Sequence, residues 1–221
     1  MAPTITELQA QSDNRAFVRK ISKAVGLLAP TSVDLPESLI ASGGGIVDLQ
    51  EEGYVPLGMI TPDGYRFGRD MEKEDVEALG HASYVRSDIT RVARTIAFNA
   101  MEVHRKALQE LIYGQDLSGV TVGADGEIVW DEADLPDGRE YRLVVIAGDG
   151  PADAHWTMGL GFPSVKLAEV GEEEWSREGA LQREITLDVF TDEDLGTPVR
   201  HYLGGTAVAK HSEALGFAET S

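Results

Sequence analysis

The chain has 221 residues, of which 42% are hydrophobic, and this composition is typical of a globular protein rather than a disordered or fibrous one. It contains no cysteine, which excludes disulfides, thiolate zinc sites and a cysteine nucleophile. A formal net charge of −19 argues against a protein that binds nucleic acid by neutralising its phosphates. It leaves open a surface along which nucleic acid passes without binding, because like charges repel.

The N-terminal quarter of the chain is the least regular part of the sequence. Residues 1–16 are small and polar and predict a flexible N-terminal arm. Residues 17–28 contain apolar positions that fit a helical stripe, and we leave open whether they form a strand or a helix. Prolines and glycines interrupt residues 30–52, which predicts a long irregular loop that contributes little to the core.

The central stretch begins with a predicted strand from Tyr54 to Ile60, followed by the run Thr61-Pro62-Asp63-Gly64. Proline presets φ, and glycine after aspartate supplies a positive φ, so Asp63 and Gly64 predict a tight turn. We therefore expect a hairpin that continues into Tyr65, Arg66 and Phe67.

An acidic connection and a strand follow that turn. Residues 70–77 carry six charged side chains in eight positions and predict a solvated edge strand or a short helix. Residues 89–98 alternate with period two and predict a strand. Residues 101–113 have an apolar stripe at helical spacing, and Gly114 stands where a helix would end, so we predict one amphipathic helix here.

After Gly114 the sequence predicts mostly strands, separated by glycine-containing turns. The predicted strands are Glu127–Trp130, Tyr141–Ala147, His155–Phe162, Val165–Val170, Leu181–Phe190 and Val199–Leu203. Residues 17–203 are thus predicted to be a single mainly β (α+β) domain, a sandwich or barrel. Residues 204–221 are small and weakly periodic and predict a flexible C-terminal tail.

No motif in the sequence indicates catalysis, a metal or a cofactor. The five histidines are far apart and lack the spacings that place two nitrogens on one metal. Asp125-Gly126 and Glu132 resemble the end of a calcium loop, but Thr121 and Gly123 stand where earlier carboxylates are required. The glycine runs lack the Lys-Ser/Thr ending of a phosphate loop. We therefore expect no catalytic, metal or cofactor site, and a protein that is not an enzyme.

The order of the central elements resembles that of the major tail protein, or tail tube protein, of long-tailed bacteriophages. The elements that carry the resemblance are Leu57-Gly58, Asp63-Gly64, the acidic segment 70–79 ending in Gly80, Val85-Arg86-Ser87, the strand to Phe98 and the helix to Tyr113-Gly114. The C-terminal part agrees through Phe162-Pro163, Val165–Gly171, Arg183–Phe190, Asp192 and Gly196-Thr197-Pro198-Val199. The resemblance covers residues 18–203, with Gly58, Asp63, Gly64, Gly80 and Gly114 as its fold-motif positions.

The resemblance implies a β-sandwich-like tube fold with one packed helix. It implies hexameric rings that stack into a tail tube around a channel through which DNA passes during ejection. The implied partners are further copies of the chain, the tape measure, tail terminator and tip or baseplate proteins, with no membrane. The implied location is the virion tail, after assembly in the host cytoplasm. The candidate assembly or lumen residues are Asp70, Glu72, Glu74, Asp75 and Glu77.

A second function class is compatible with the same sequence. A monomeric β-sandwich that binds glycans on a phage or cell surface would need exposed aromatic side chains. The candidates for that role are Trp130, Trp156 and Trp175.

Overall fold

The computed structural model describes residues 2–217, which form eight strands and three α-helices. The strands are β1 (Lys23–Pro30), β2 (Val55–Pro56), β3 (Arg66–Val76), β4 (Arg86–Ala100), β5 (Tyr141–Asp149), β6 (Trp156–Val170), β7 (Arg183–Phe190) and β8 (Arg200–Gly204). The helices are α1 (Ile5–Ser12), α2 (Lys106–Tyr113) and α3 (Thr206–Leu215), with short 3₁₀ turns at Arg15–Phe17 and Ala152–Ala154. The prediction of a mainly β protein is confirmed.

The eight strands form one antiparallel sheet in the order β2-β1-β5-β6-β7-β4-β3, with β8 beside the first half of β6. Strand β6 is therefore shared between two parts of the sheet. Its first half lies between β5 and β8, and its second half pairs with β7. The sheet thus divides at the middle of β6 into two halves, and side chains from both halves meet in one core. This is a sandwich built from a single sheet.

The main core lies between the two halves of the sheet. It includes Leu143 and Phe162 from one half, Phe98 and Ile185 from the other, and Leu108 of α2. Helix α2 buries its apolar stripe against this core and ends at Gly114, whose φ of +57° closes the helix in the left-handed conformation. The prediction of one packed amphipathic helix ending at Gly114 is therefore confirmed for its C-terminal part.

A second core lies on the outer face of β1 and β5, beneath the segment 31–54. Leu39, Leu49 and Tyr54 of that segment are almost fully buried against Val144 and Ile146. Gly159 in β6 makes the fit possible, because a Cβ there would overlap the side chain of Leu39. The segment is irregular, as expected, but the prediction that residues 30–52 contribute little to the core is wrong. Scattered leucines in a segment without periodicity gave no sign of burial.

Three predicted elements are wrong in detail. Tyr54–Ile60 and Tyr65–Phe67 do not form a hairpin, because β2 pairs with β1 while β3 pairs with β4. The turn between them does exist, with the Gly64 N–H donating to the Thr61 carbonyl at 3.0 Å. Residues 127–130 lie in an irregular segment rather than in a strand.

Helix α2 begins five residues later than predicted. Strand β4 continues to Ala100, and the chain then turns at Glu102, whose carboxylate accepts the Met59 N–H at 2.8 Å and Arg105 Nε at 2.6 Å. These side-chain bonds hold residues 101–105 in a turn, so the helix starts at Lys106.

Both ends of the described chain contain regular structure where flexible arms are predicted. Residues 5–12 form the exposed helix α1, and residues 206–215 form α3. The open question about residues 17–28 is resolved in favour of a strand from Lys23 onward. Phe17 and His211 pack against Trp156, with ring centroids 6.1 and 6.4 Å from the indole. The flexibility of both ends stays a prediction, and Met1 and residues 218–221 lie outside the described residues.

Candidate assembly surface

Strands β3 and β4 form a long hairpin whose outer part is mostly exposed, and we call this part, residues 69–94, the arm. Strand β3 is an edge strand whose every residue is exposed, and within residues 2–217 it pairs only with β4. Residues 69–76 alone extend about 25 Å at the rise typical of antiparallel strands. Unpaired edges and exposed apolar side chains of this kind are where proteins associate.

The register of the arm assigns each side chain to one of two faces. Directly opposed residues share a face and successive residues alternate, so Arg69/Arg94 and Met71/Val92 lie on one face and Glu72/Arg91 on the other. A bulge after Glu72 skips Thr90, and the pairing resumes with Lys73 opposite Ile89. The two faces carry different chemistry.

One face, which we call the acidic face, holds three of the five predicted assembly residues. Asp70, Glu72 and Glu74 share it with Asp88, Arg86 and Arg91, which gives a formal net charge of −2 from four carboxylates and two guanidinium groups. Glu72 pairs with Arg91 at 3.1 Å.

The structure separates the other two predicted residues from this group. Asp75 lies on the opposite face, and Glu77 follows the end of β3.

The opposite face, which we call the basic face, was missed by the sequence analysis. It carries Arg69, Lys73 and Arg94 with a single carboxylate, that of Asp75, for a formal net charge of +2. The apolar side chains of Met71, Ile89 and Val92 lie between them. The run Arg-Asp-Met-Glu-Lys-Glu at 69–74 contained the signal, because separating its odd from its even positions assigns the charges to two faces.

Arg69 and Arg94 are directly opposite each other, and like charges in that position destabilise a strand pair. Among residues 2–217, none of the ion pairs within 4.0 Å involves Arg69, Lys73 or Arg94. Arg94 Nη1 donates to the Val92 carbonyl at 3.4 Å, but no carboxylate of residues 2–217 forms an ion pair with either arginine.

A groove of about 410 Å³ opens where the basic face joins the body of the protein. Its apolar floor includes Phe162 and Phe67, whose rings stack with centroids 5.9 Å apart. Arg69, Arg94 and His201 also line it, and no carboxylate does. The groove thus combines an aromatic floor with positively charged walls.

The tip of the arm is apolar and fully exposed. Leu79, Tyr84 and Val85 are exposed, and Gly80 turns the chain with a φ of +83°. The Val85 N–H donates to the Val76 carbonyl at 2.9 Å and closes the loop. A glycine at residue 80 therefore allows the turn that presents these apolar side chains to solvent.

The motif residue Gly58 lies at the other end of β4, against the turn before α2. It has a φ of +90°, and a Cβ there would lie 2.5 Å from Arg105 Nε. The Met59 N–H and the Arg105 side chain, in that order, hold the pKa of the Glu102 carboxyl below its usual value. Residue 58 must therefore be glycine for two reasons, its positive φ and the lack of space for a Cβ beside Arg105.

The tryptophans proposed for glycan binding are in three different environments. Trp156 is buried, Trp130 is half-buried with its ring centroid 6.5 Å from that of Tyr113, and only Trp175 is largely exposed. The glycan-binding alternative stays a prediction, now limited to one exposed side chain.

A cavity of about 840 Å³ lies between residues 32–37 and 194–200. Arg200 in its wall donates to the carbonyls of Leu35 and Pro36, which connects β8 to the segment 31–54, called the covering segment below. No group of three or more metal-ligating side chains occurs in the part of the chain that the structure describes. Within residues 2–217, no helix combines the length and apolar character needed to cross a membrane.

Comparison with known proteins gives structural similarities only. No protein-family model matches the sequence, and no curated protein matches it. A chain of the virion of a native gene transfer agent particle is 10% identical with a TM-score of 0.35, over 72% of this chain and 92% of that chain.

Two further solved structures are similar at the same low level. A chain of the anti-feeding prophage baseplate is 7% identical with a TM-score of 0.43, over 86% of this chain and 97% of that chain. A mutant of the Hcp1 protein from E. coli EAEC 042 is 10% identical with a TM-score of 0.29, over 83% of this chain and 98% of that chain.

Proposed function

We propose that this protein is a structural subunit of a bacteriophage tail tube, with six copies forming a ring and rings stacking around a channel for DNA. The observation that carries the proposal is the arm. It is a long two-stranded extension with an apolar tip and an unpaired edge, and isolated two-stranded hairpins are only marginally stable in water. A neighbouring copy would supply the contacts that the chain itself lacks.

The resemblance in the order of the central elements adds the kind of assembly. In that assembly the acidic face of the arm, with Asp70, Glu72 and Glu74, lines the channel. Carboxylates there would repel the phosphates of DNA and let it slide instead of binding. The other partners are the tape measure, terminator and tip proteins of the same tail, and the location is the virion.

The direct test is to remove the arm while keeping the body. Residues 72–91 are replaced by Asn-Gly, a two-residue turn that fits between the opposed residues Met71 and Val92. We expect a variant that keeps a β-type circular dichroism spectrum and unfolds cooperatively, with complete loss of the rings or tubes expected of the wild-type protein in negative-stain micrographs. A wild-type protein that stays monomeric under all assembly conditions would contradict the proposal.

The role of the acidic face is tested by the triple substitution Asp70→Lys, Glu72→Lys and Glu74→Lys. The monomer should fold normally, because all three side chains are exposed. Tubes that still form should retain DNA in a salt-dependent manner, and infectivity should fall. Normal tubes with normal infectivity would show that this face does not line the channel.

A further inference from the structure

We infer that the basic groove of one copy binds the acidic loop Glu172–Glu178 of a second copy, so that copies associate head to tail. This inference rests on the proposed function for its biological setting. Its physical basis is separate and lies in charge, exposure and the direction of β4.

The first observation is the missing counter-charge in the groove. Arg69 and Arg94 repel each other across the strand pair, both line the groove, and neither has a carboxylate partner in residues 2–217. A carboxylate that entered the groove would convert this repulsion into two attractive contacts. The stacked rings of Phe67 and Phe162 would favour an aromatic side chain beside that carboxylate.

The second observation is a loop with the complementary chemistry. Residues 172–178 read Glu-Glu-Glu-Trp-Ser-Arg-Glu, and Trp175 is 85% exposed, the largest exposed fraction of any aromatic side chain in residues 2–217. Glu173 pairs with Arg183 at 2.9 Å.

The carboxylates of Glu172, Glu174 and Glu178 form no ion pair with described residues. This loop therefore offers an exposed tryptophan and free carboxylates, and tryptophan is among the residues enriched at the centres of interfaces.

The third observation is that the groove and the loop lie at different positions along β4. The loop follows β6 and precedes β7 beside Ala100, the last residue of β4, because Ala100 pairs with Arg183. The groove lies near Arg94, six residues or roughly 20 Å back along the strand. In its own chain the loop instead lines a cavity together with His104 and Leu181. A contact between these two surfaces therefore joins different copies.

A contact between two different surfaces of identical chains is heterologous. Repeating it gives a ring if the rotation between neighbouring copies closes, and an open filament if it does not. The acidic loop of each copy would enter the groove of the next, and the apolar side chains of the basic face would lie beside it. The acidic face, on the other side of the arm, remains free for the channel.

The test uses charge reversal in the full-length protein. Arg69→Glu with Arg94→Glu should abolish assembly, measured by sedimentation velocity and negative-stain microscopy. Glu172→Lys with Glu174→Lys should do the same, and the chain carrying all four changes should assemble again, because groove and loop are complementary once more. A second comparison neutralises two arginines on each face. Arg69→Gln with Arg94→Gln is the test, and Arg86→Gln with Arg91→Gln is its matched control, because the two variants remove equal charge from opposite faces.

A second experiment keeps the inference testable if the wild-type protein does not form tubes. A synthetic peptide spanning residues 170–180 is titrated into the monomer. We expect saturable binding that weakens about tenfold with Arg69→Glu and Arg94→Glu and falls as salt is raised. A photo-crosslinking amino acid in place of Trp175 should label the groove of another copy.

The outcomes separate the inference from the proposed function. Peptide binding without tubes supports the contact and contradicts the tube. Tubes that tolerate both reversals, or a peptide that binds neither the wild type nor the variants, would overturn the contact. The Arg69→Glu/Arg94→Glu monomer is expected to fold and to unfold cooperatively, because both arginines lie outside the core.

Discussion

The two halves of strand β4 differ in how deeply their side chains are buried. At its C-terminal end Ile96, Phe98 and Ala100 are at most 1% exposed and lie in the main core. At its N-terminal end residues 86–91 are exposed and lie in the arm. The same strand therefore belongs to a body that is complete in one chain and to an extension that is not.

This difference shows where the chain obtains its stability. The body buries apolar side chains on both faces of β1 and β5, one against the main core and one beneath the segment 31–54. The two strands of the arm pair only with each other at its outer end, and within residues 2–217 neither face of this outer end is buried. The body should therefore fold in an isolated monomer, whereas the arm should gain its full stability only from a neighbouring copy.

The largest expected effect is in the covering segment. Leu39→Ala should lower the free energy of unfolding by about 2–5 kcal/mol, because Leu39 is 2% exposed and its removal leaves a cavity. Leu79→Ala at the fully exposed tip of the arm is the matched control and should change it by about 0.5 kcal/mol or less. Urea unfolding followed by circular dichroism measures both. Equal effects would mean that the covering segment is not part of the core.

A smaller effect should separate two glycines that both have positive φ. Gly58→Ala should destabilise the protein by about 1–3 kcal/mol through backbone strain and overlap with Arg105. Gly80→Ala at the tip of the arm has the same kind of backbone strain but open space around it, so it should lower the free energy of unfolding by less. Thermal unfolding of the two variants gives the comparison. A larger loss from Gly80→Ala would show that the arm contributes more to monomer stability than the body junction does.

The smallest effect should be the pH dependence at the body end of β4. Hydrogen bonds from Met59 and Arg105 lower the pKa of Glu102 in the folded state. Its contribution to stability is therefore fully present above the unfolded carboxyl pKa of about 4.3 and is lost as pH falls through the lower folded pKa.

The stability difference between wild type and Glu102→Gln should accordingly shrink as pH is lowered from neutral into the acid range. Urea titrations at several pH values measure it, with Glu74→Gln on the arm as the control of similar charge. A difference that grew on acidification would contradict the assigned direction of the pKa shift.

Prediction from sequence succeeded where the pattern was local. The alternation at 89–98 and 181–190 predicted β4 and β7, and Gly114 marked the end of α2. It failed where a distant residue decided the outcome. The start of α2 depends on Glu102 binding Met59, 43 positions earlier. The apolar run Glu127–Trp130 had strand-forming residues but found no partner strand in the described chain.

The candidate site shows the same division at the level of single side chains. The acidic character of residues 70–77 was readable from composition, which left a solvated edge strand and a short helix as alternatives. Their division into two faces depended on the register with β4 and on the bulge after Glu72. The groove could not be predicted, because Arg69, Phe162 and His201 come from three strands far apart in the chain.

By itself, the sequence determined that this is an acidic, mainly β chain with one packed helix and glycine turns at residues 64 and 114, because alternation, helical spacing and positive φ are local properties. Only the tertiary structure decided that the segment 31–54 is core, that β3 and β4 extend beyond the body as an arm, and that the arm has one acidic and one basic face. Those features depend on strand pairing and close packing between distant segments, for which neighbouring residues carry no signal.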